Sequence, residues 1–221
     1  MTRLGYLIQC AAFGLGVALL GCGSNTPGGG GGATSAVQLV PASDAISGWK
    51  FNTRNSKTAN GAATATTEPD TEALIDGAAA EFFADPYKPA LFAWETYVNA
   101  TIGTADTTNP AWDQQFPDGA AVDLKILQLP SAAQAAGLYA SLPATPLYVG
   151  KTWMDPSSPK VGTGSRVADT GDHWWINFYQ GDFYVEVSMG PSYNPPPDYN
   201  PGNTATQTAA FAFAAAVAGK I

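Results

Sequence analysis

The sequence predicts an α+β fold, an antiparallel sheet of about five or six strands packed against about three helices in two layers. Three observations point there. "HWWINFYQGDFYVEVSMG", residues 173–190, alternates on both sides of Gly181-Asp182, a pair suited to a two-residue hairpin turn. "ALFAWETYV" (90–98) and "AVDLKILQL" (121–129) also alternate with a period of two. Among these strands lie the helix-type runs "TEALIDGAAAEFF", "SAAQAAGLYASL" and the Ala-rich end of the chain.

Along the chain, residues 37–40 read as a short apolar strand stopped by Pro41, with a second strand around Trp49. Residues 52–70, rich in Thr, Asn and Ala, read as an exposed loop. Glu68-Pro69-Asp70-Thr71 then signals a helix that runs through Phe83 and stops at Asp85-Pro86. In the strand 90–98, Phe92, Trp94, Thr96 and Val98 are expected on the core face, with Ala93, Glu95 and Tyr97 on the other. In 121–129, Val122, Leu124 and Ile126 oppose Asp123, Lys125 and Leu127. The 22 residues between these strands are far too many for a hairpin turn, so they form a functional loop or an insertion.

Pro130-Ser131 caps the second helix, and a further strand is expected near Arg166 to Ala168. Across the hairpin, Gln180 should face Phe183, Phe178 Val185, Ile176 Val187 and Trp174 Met189, an apolar set for the core. The opposite face carries Trp175, Asn177, Tyr179, Tyr184, Glu186 and Ser188. A slip of one residue would exchange the faces, so the pattern fixes the register. After the proline-rich "SYNPPPDYNPGN", Thr204-x-x-Gln207 opens a last helix with Phe211, Phe213 and Val217.

The chain opens with Arg3 and the uncharged apolar run Leu4 to Leu20, then a cysteine and "GSNTPGGGGGATSA". A positive start, an apolar run and small residues at its exit describe an export signal over residues 1–21. Seventeen residues with three glycines and Gln9 make a poor membrane span. Residues 22–36 lack apolar side chains to offset the entropy of ordering and read as a flexible tether with a reach of about 20 Å. Residues 37–221 then form a single α+β domain.

Composition limits the partners. Removing Arg3 with the signal leaves nine basic against 18 acidic residues, a formal net charge of −9. An acidic domain without basic clusters argues against nucleic acid. With 13% charged and 45% hydrophobic residues, the chain has the composition of a folded domain. Loss of residues 1–21 as an export signal would also remove Cys10 and leave one cysteine, so no disulfide is expected within one chain.

Leu19-Leu20-Gly21-Cys22 resembles the lipobox of bacterial lipoproteins. The resemblance implies that the Cys22 thiol receives a diacylglyceryl group, that cleavage follows Gly21, and that acyl chains including palmitate hold the protein to the membrane. It places the chain in the bacterial cell envelope. Gly23 in place of Asp favours the outer membrane, facing the periplasm, in a Gram-negative host, and otherwise the outer face of the cell membrane. The rest resembles an uncharacterised bacterial domain family of exported proteins. "ALIDGAAAEFF" is similar to that family's Ile-(Asn/Asp)-Gly-x-Ala-Glu-aromatic helix, with one extra alanine, and "SAAQAAGLYASL" and "FYQGDFYVEV" continue the likeness. Asp76, Gly77, Glu81, Gly137, Tyr139, Gly181, Tyr184 and Val185 match its pattern, which implies an architecture and no mechanism.

Chemistry is sparsely signalled. His173 is the single histidine, and no Gly-x-Ser-x-Gly elbow accompanies it. One His without a free Cys makes no zinc site. "DYNPGN" places Asp198, Asn200 and Asn203 partly as in a calcium loop, yet Ala209 stands where a bidentate Glu is needed. No metal and no cofactor is expected. The outer sheet face offers Tyr97, Trp175, Asn177, Tyr179, Tyr184 and Glu186 as a ligand surface, with rings to stack and polar groups to orient. The leading expectation is a membrane-anchored, non-enzymatic module that binds an envelope protein or a small ligand. One alternative is an envelope glycan hydrolase using Glu95 and Glu186; another is a small-molecule or lipid carrier.

Overall fold

The fold is seen in a computed structural model that describes residues 35–99, 120–156, 160–170, 174–191 and 204–221. The signal segment, Cys22, most of the tether, most of the 99–120 connection, His173 and Asp198, Asn200 and Asn203 lie outside the described residues. The described residues belong to one unit, Gly32–Ile221.

Among the described residues, seven strands make one antiparallel sheet: β1 Lys50–Phe51, β2 Ala63–Ala65, β3 Leu91–Asn99, β4 Ala120–Gln128, β5 Gly164–Asp169, β6 Trp174–Gln180 and β7 Phe183–Pro191. Their spatial order is β1-β3-β4-β7-β6-β5, and β2 pairs with β3 beside β1. The hairpin has the register its alternation predicts: Gln180 pairs with Phe183, Phe178 with Val185, Ile176 with Val187 and Trp174 with Met189. Gly181 takes φ +55°, which a residue with a Cβ adopts only under strain.

The helices are α1 Ala36–Leu39, α2 Glu68–Ile75, α3 Ala79–Phe83, α4 Ala132–Ser141 and α5 Thr204–Ala218. Residues 36–39 are thus a helical turn rather than a strand. The Gln38 side chain accepts from the Ser35 N–H, and Ala36 and Leu39, three apart, bury one face. The expected helix 71–83 is two helices. Asp76, Gly77 and Ala78 take φ of +54°, +130° and +67°, breaking the spiral. The Glu72 carboxylate then accepts from the Ala79 N–H at 3.2 Å and caps the restart. The 52–70 loop also contributes β2, whose Ala63–Ala65 pair with Trp94 to Phe92.

The α+β antiparallel architecture is as expected, but helices cover both faces, so the sheet is the middle of three layers. On one face α5 and α1 pack Phe213, Val217 and Leu39 on Tyr97, Leu124, Ile176, Phe178, Val185 and Val187. Phe213 sits 4.7 Å from the Tyr97 ring centroid and 5.4 Å from that of Trp49. On the other, α3, α4 and residues 142–148 pack Phe82, Leu138, Leu142 and Tyr148 on Phe92, Leu127 and Tyr184. At the end of the chain, the Lys220 ammonium donates to the Val40 carbonyl at 2.8 Å and the Gln38 carbonyl at 3.4 Å.

Candidate functional site

Residues paired across adjacent antiparallel strands point to the same face, so the registers define rows that cross the sheet. One row runs Trp94, Lys125, Glu186, Asn177, Arg166 over five strands. It is polar from Lys125 to Arg166, and it is buried: Asn177 and Glu186 are 0% exposed, Arg166 6% and Lys125 9%. The helices and the 142–156 segment close over it where a solvated sheet face would otherwise be.

The row is wired to its neighbours. The Lys125 ammonium donates to Glu186 Oε1 at 3.0 Å and to Asp123 Oδ2 at 2.8 Å. The Trp94 indole N–H donates to Asp123 Oδ1, and the Tyr148 hydroxyl to Glu186 Oε2. Asn177 Nδ2 donates to the Tyr184 hydroxyl at 2.6 Å. Burial opposes the charge on Lys125, but Asp123 and Glu186 more than offset it and hold its pKa above the ordinary value. Burial, reinforced by the Glu186 charge, pushes the Tyr148 and Tyr184 phenols up, so both stay protonated near neutral pH. Neither is a ready base.

Half-buried aromatic rings border this floor: Tyr139 from α4, Trp153 from the segment after it, and Trp175 and Tyr179 from β6. Arg166 lies 4.2 Å from the Tyr139 ring centroid and 4.8 Å from that of Trp153. Lys151 lies 4.3 Å from the Trp175 centroid.

The structure brings together most of the residues the sequence singles out. Trp175, Asn177, Tyr179, Tyr184 and Glu186 share this face. Tyr97 does not. It pairs with Val122, packs against Phe213 on the opposite face, and its hydroxyl donates to the Pro41 carbonyl at 2.6 Å. Glu95 also lies there, opposite Leu124, whose own partner is Val187. The sheet therefore separates Glu95 from Glu186, and the two do not flank a common substrate. The reason is that β3 is apolar on both faces, so alternation alone does not say which of its sides meets the polar side of the hairpin; the register with β4 does.

Glu95 is 0% exposed, with Oε1 accepting from the Thr96 N–H and Oε2 unpartnered. Burial raises its pKa to about 7, opposed by the Thr96 N–H and the Thr58 hydroxyl. Its charge and burial together push the Tyr97 phenol up, burial being the larger cause.

Sequence reasoning missed Arg166, Tyr148 and Trp153 as site residues. Arg166 left one clue, a lone cation in the strand "SRVA". Tyr148 and Trp153 sit in the irregular "YVGKTW", which has no period to read. Among the described residues no group of three or more His, Cys, Asp or Glu is placed to hold a metal ion. Comparison with protein-family models and with curated proteins found no match to the chain.

Proposed function

We propose that the protein is a lipid-anchored component of the bacterial cell envelope whose domain is a non-enzymatic binding module. On this reading the ligand or partner meets the floor and aromatic rim around Arg166, Asn177 and Tyr184. The observation that carries it is the distribution of polar groups between the faces. The carboxylates a glycosidase would need, Glu95 and Glu186, stand on opposite faces, while rings and hydrogen-bonding groups gather on one. Glu186 is occupied by Lys125 and Tyr148, so it is a structural acceptor rather than a free acid or base. The lipobox-like Leu19-Leu20-Gly21-Cys22 and the likeness to exported bacterial domains support the location.

Native mass spectrometry of the full chain, exported in a bacterial host and extracted in detergent, tests the binding reading. A noncovalent adduct that leaves on denaturation, or a co-purifying partner, is expected. A bare chain mass with no partner, together with hydrolysis of cell-wall glycan abolished by Glu186→Gln, would overturn it. For the anchor, Cys22→Ala should abolish incorporation of labelled palmitate and release the protein from membranes. Unchanged labelling would show that Cys22 is not the acylated residue.

A further inference from the structure

We propose that Arg166 is the anchor of a binding site for a small free carboxylate, with Trp153 as a second donor; this rests on the binding-module reading above and names its ligand class. Arg166 is 6% exposed. Its Nη1 donates to the Tyr139 carbonyl, while Nε and Nη2 are buried without a hydrogen-bond partner. Those two N–H groups lie on one edge of the guanidinium, the fork whose parallel bonds match the two oxygens of a carboxylate. The open edge is thus the one with a specific complement.

Three further features agree. The ring contacts with Tyr139 and Trp153 hold the guanidinium plane, so little freedom remains to be lost on binding. The Trp153 indole N–H is also buried and unpartnered. No ion pair joins Arg166 to a carboxylate among the described residues. Buried N–H groups without acceptors are costly, and a ligand that brings two acceptor oxygens removes that cost. One ordered water would bring a single oxygen to a fork that offers two parallel N–H groups. Because the fork atoms are closed off from solvent, a rim ring has to move aside to admit a ligand, which favours a small acid over a carboxylate carried on a folded partner, and the rim rings suit an apolar or aromatic body.

The test titrates the detergent-purified full chain with benzoate and with its neutral counterpart benzamide, followed by calorimetry and tryptophan fluorescence. Saturable binding of benzoate and none of benzamide is expected. Arg166→Lys keeps the charge but loses the fork, and should weaken benzoate by about tenfold or more. Trp153→Phe keeps the ring and removes the N–H; it should weaken benzoate by about fivefold and covers the case in which Arg166→Lys fails to fold. Equal binding of benzoate and benzamide, or unchanged affinity in Trp153→Phe, overturns the proposal. No binding of either overturns it too and leaves an ordered water at the fork. If the native adduct persists while benzoate neither binds nor displaces it, the carboxylate assignment fails and the binding module stands. If adduct, partner and benzoate binding are all absent, both fail.

Discussion

Two adjacent rows of one sheet differ by a single residue in register and by almost everything in chemistry. Glu95, Leu124, Val187, Ile176 and Val167 form the row facing α5; Trp94, Lys125, Glu186, Asn177 and Arg166 form the row facing α4. Both are buried. In the first, the one carboxyl has the Thr96 N–H and the Thr58 hydroxyl but no cation beside it, and burial raises its pKa to about 7. In the second, four polar side chains stand side by side and charge meets charge. Burial alone therefore does not decide the state of an ionisable group here; the partners within reach of it do.

The largest expected effect comes from breaking the paired row. Lys125→Met leaves Glu186 and Asp123 without their cation, and should cost about 3–5 kcal/mol in chemical denaturation. Replacing Lys125 and Glu186 together with Met should recover most of that loss, because no buried charge of the pair remains. A double variant as unstable as the single one would contradict this account.

Next comes the lone acid. Its neutral form is the one the fold prefers, so stability is full below the unfolded-state value of 4.5 and falls as pH rises through about 7. The full penalty is about 3 kcal/mol. Glu95→Gln should remove this slope, so the stability difference between variant and wild type grows from pH 5 to pH 8. A constant difference would mean that Glu95 does not titrate in that window.

Smaller effects sharpen the contrast. Ile176→Val in the aliphatic row should cost about 1 kcal/mol, through one lost methylene and the space it leaves. Trp94→Phe, which removes the N–H given to Asp123, should cost about 1 kcal/mol and soften the Lys125 cluster from its edge. Thermal and denaturant midpoints of the two variants rank them.

Much of this was legible in the sequence because the hairpin 174–191 repeats faithfully with period two on both strands, which fixes the polar side of Trp175, Asn177, Tyr184 and Glu186. The same rule fails on β3, where both faces carry apolar side chains, so alternation alone puts Glu95 and Tyr97 on the wrong side. The helix 71–83 read as continuous because its composition is uniformly helical; the break at Asp76 to Ala78 depends on backbone angles and the Glu72 cap. Tyr148 and Trp153 reach the site from an irregular segment, where only tertiary packing decides what a ring touches.

The contact between Lys220 and the carbonyls of Gln38 and Val40 has a mechanical consequence. It clips the last residues to the first described turn, and α5, which precedes Lys220, lies along β6 and β7. Tension applied at residue 35 therefore reaches the middle of the sheet through the terminal helix as well as through the long path of the chain. The clip adds a route to the one α1 already has through its own packing on β3 and β4, and Lys220→Met would remove the added one.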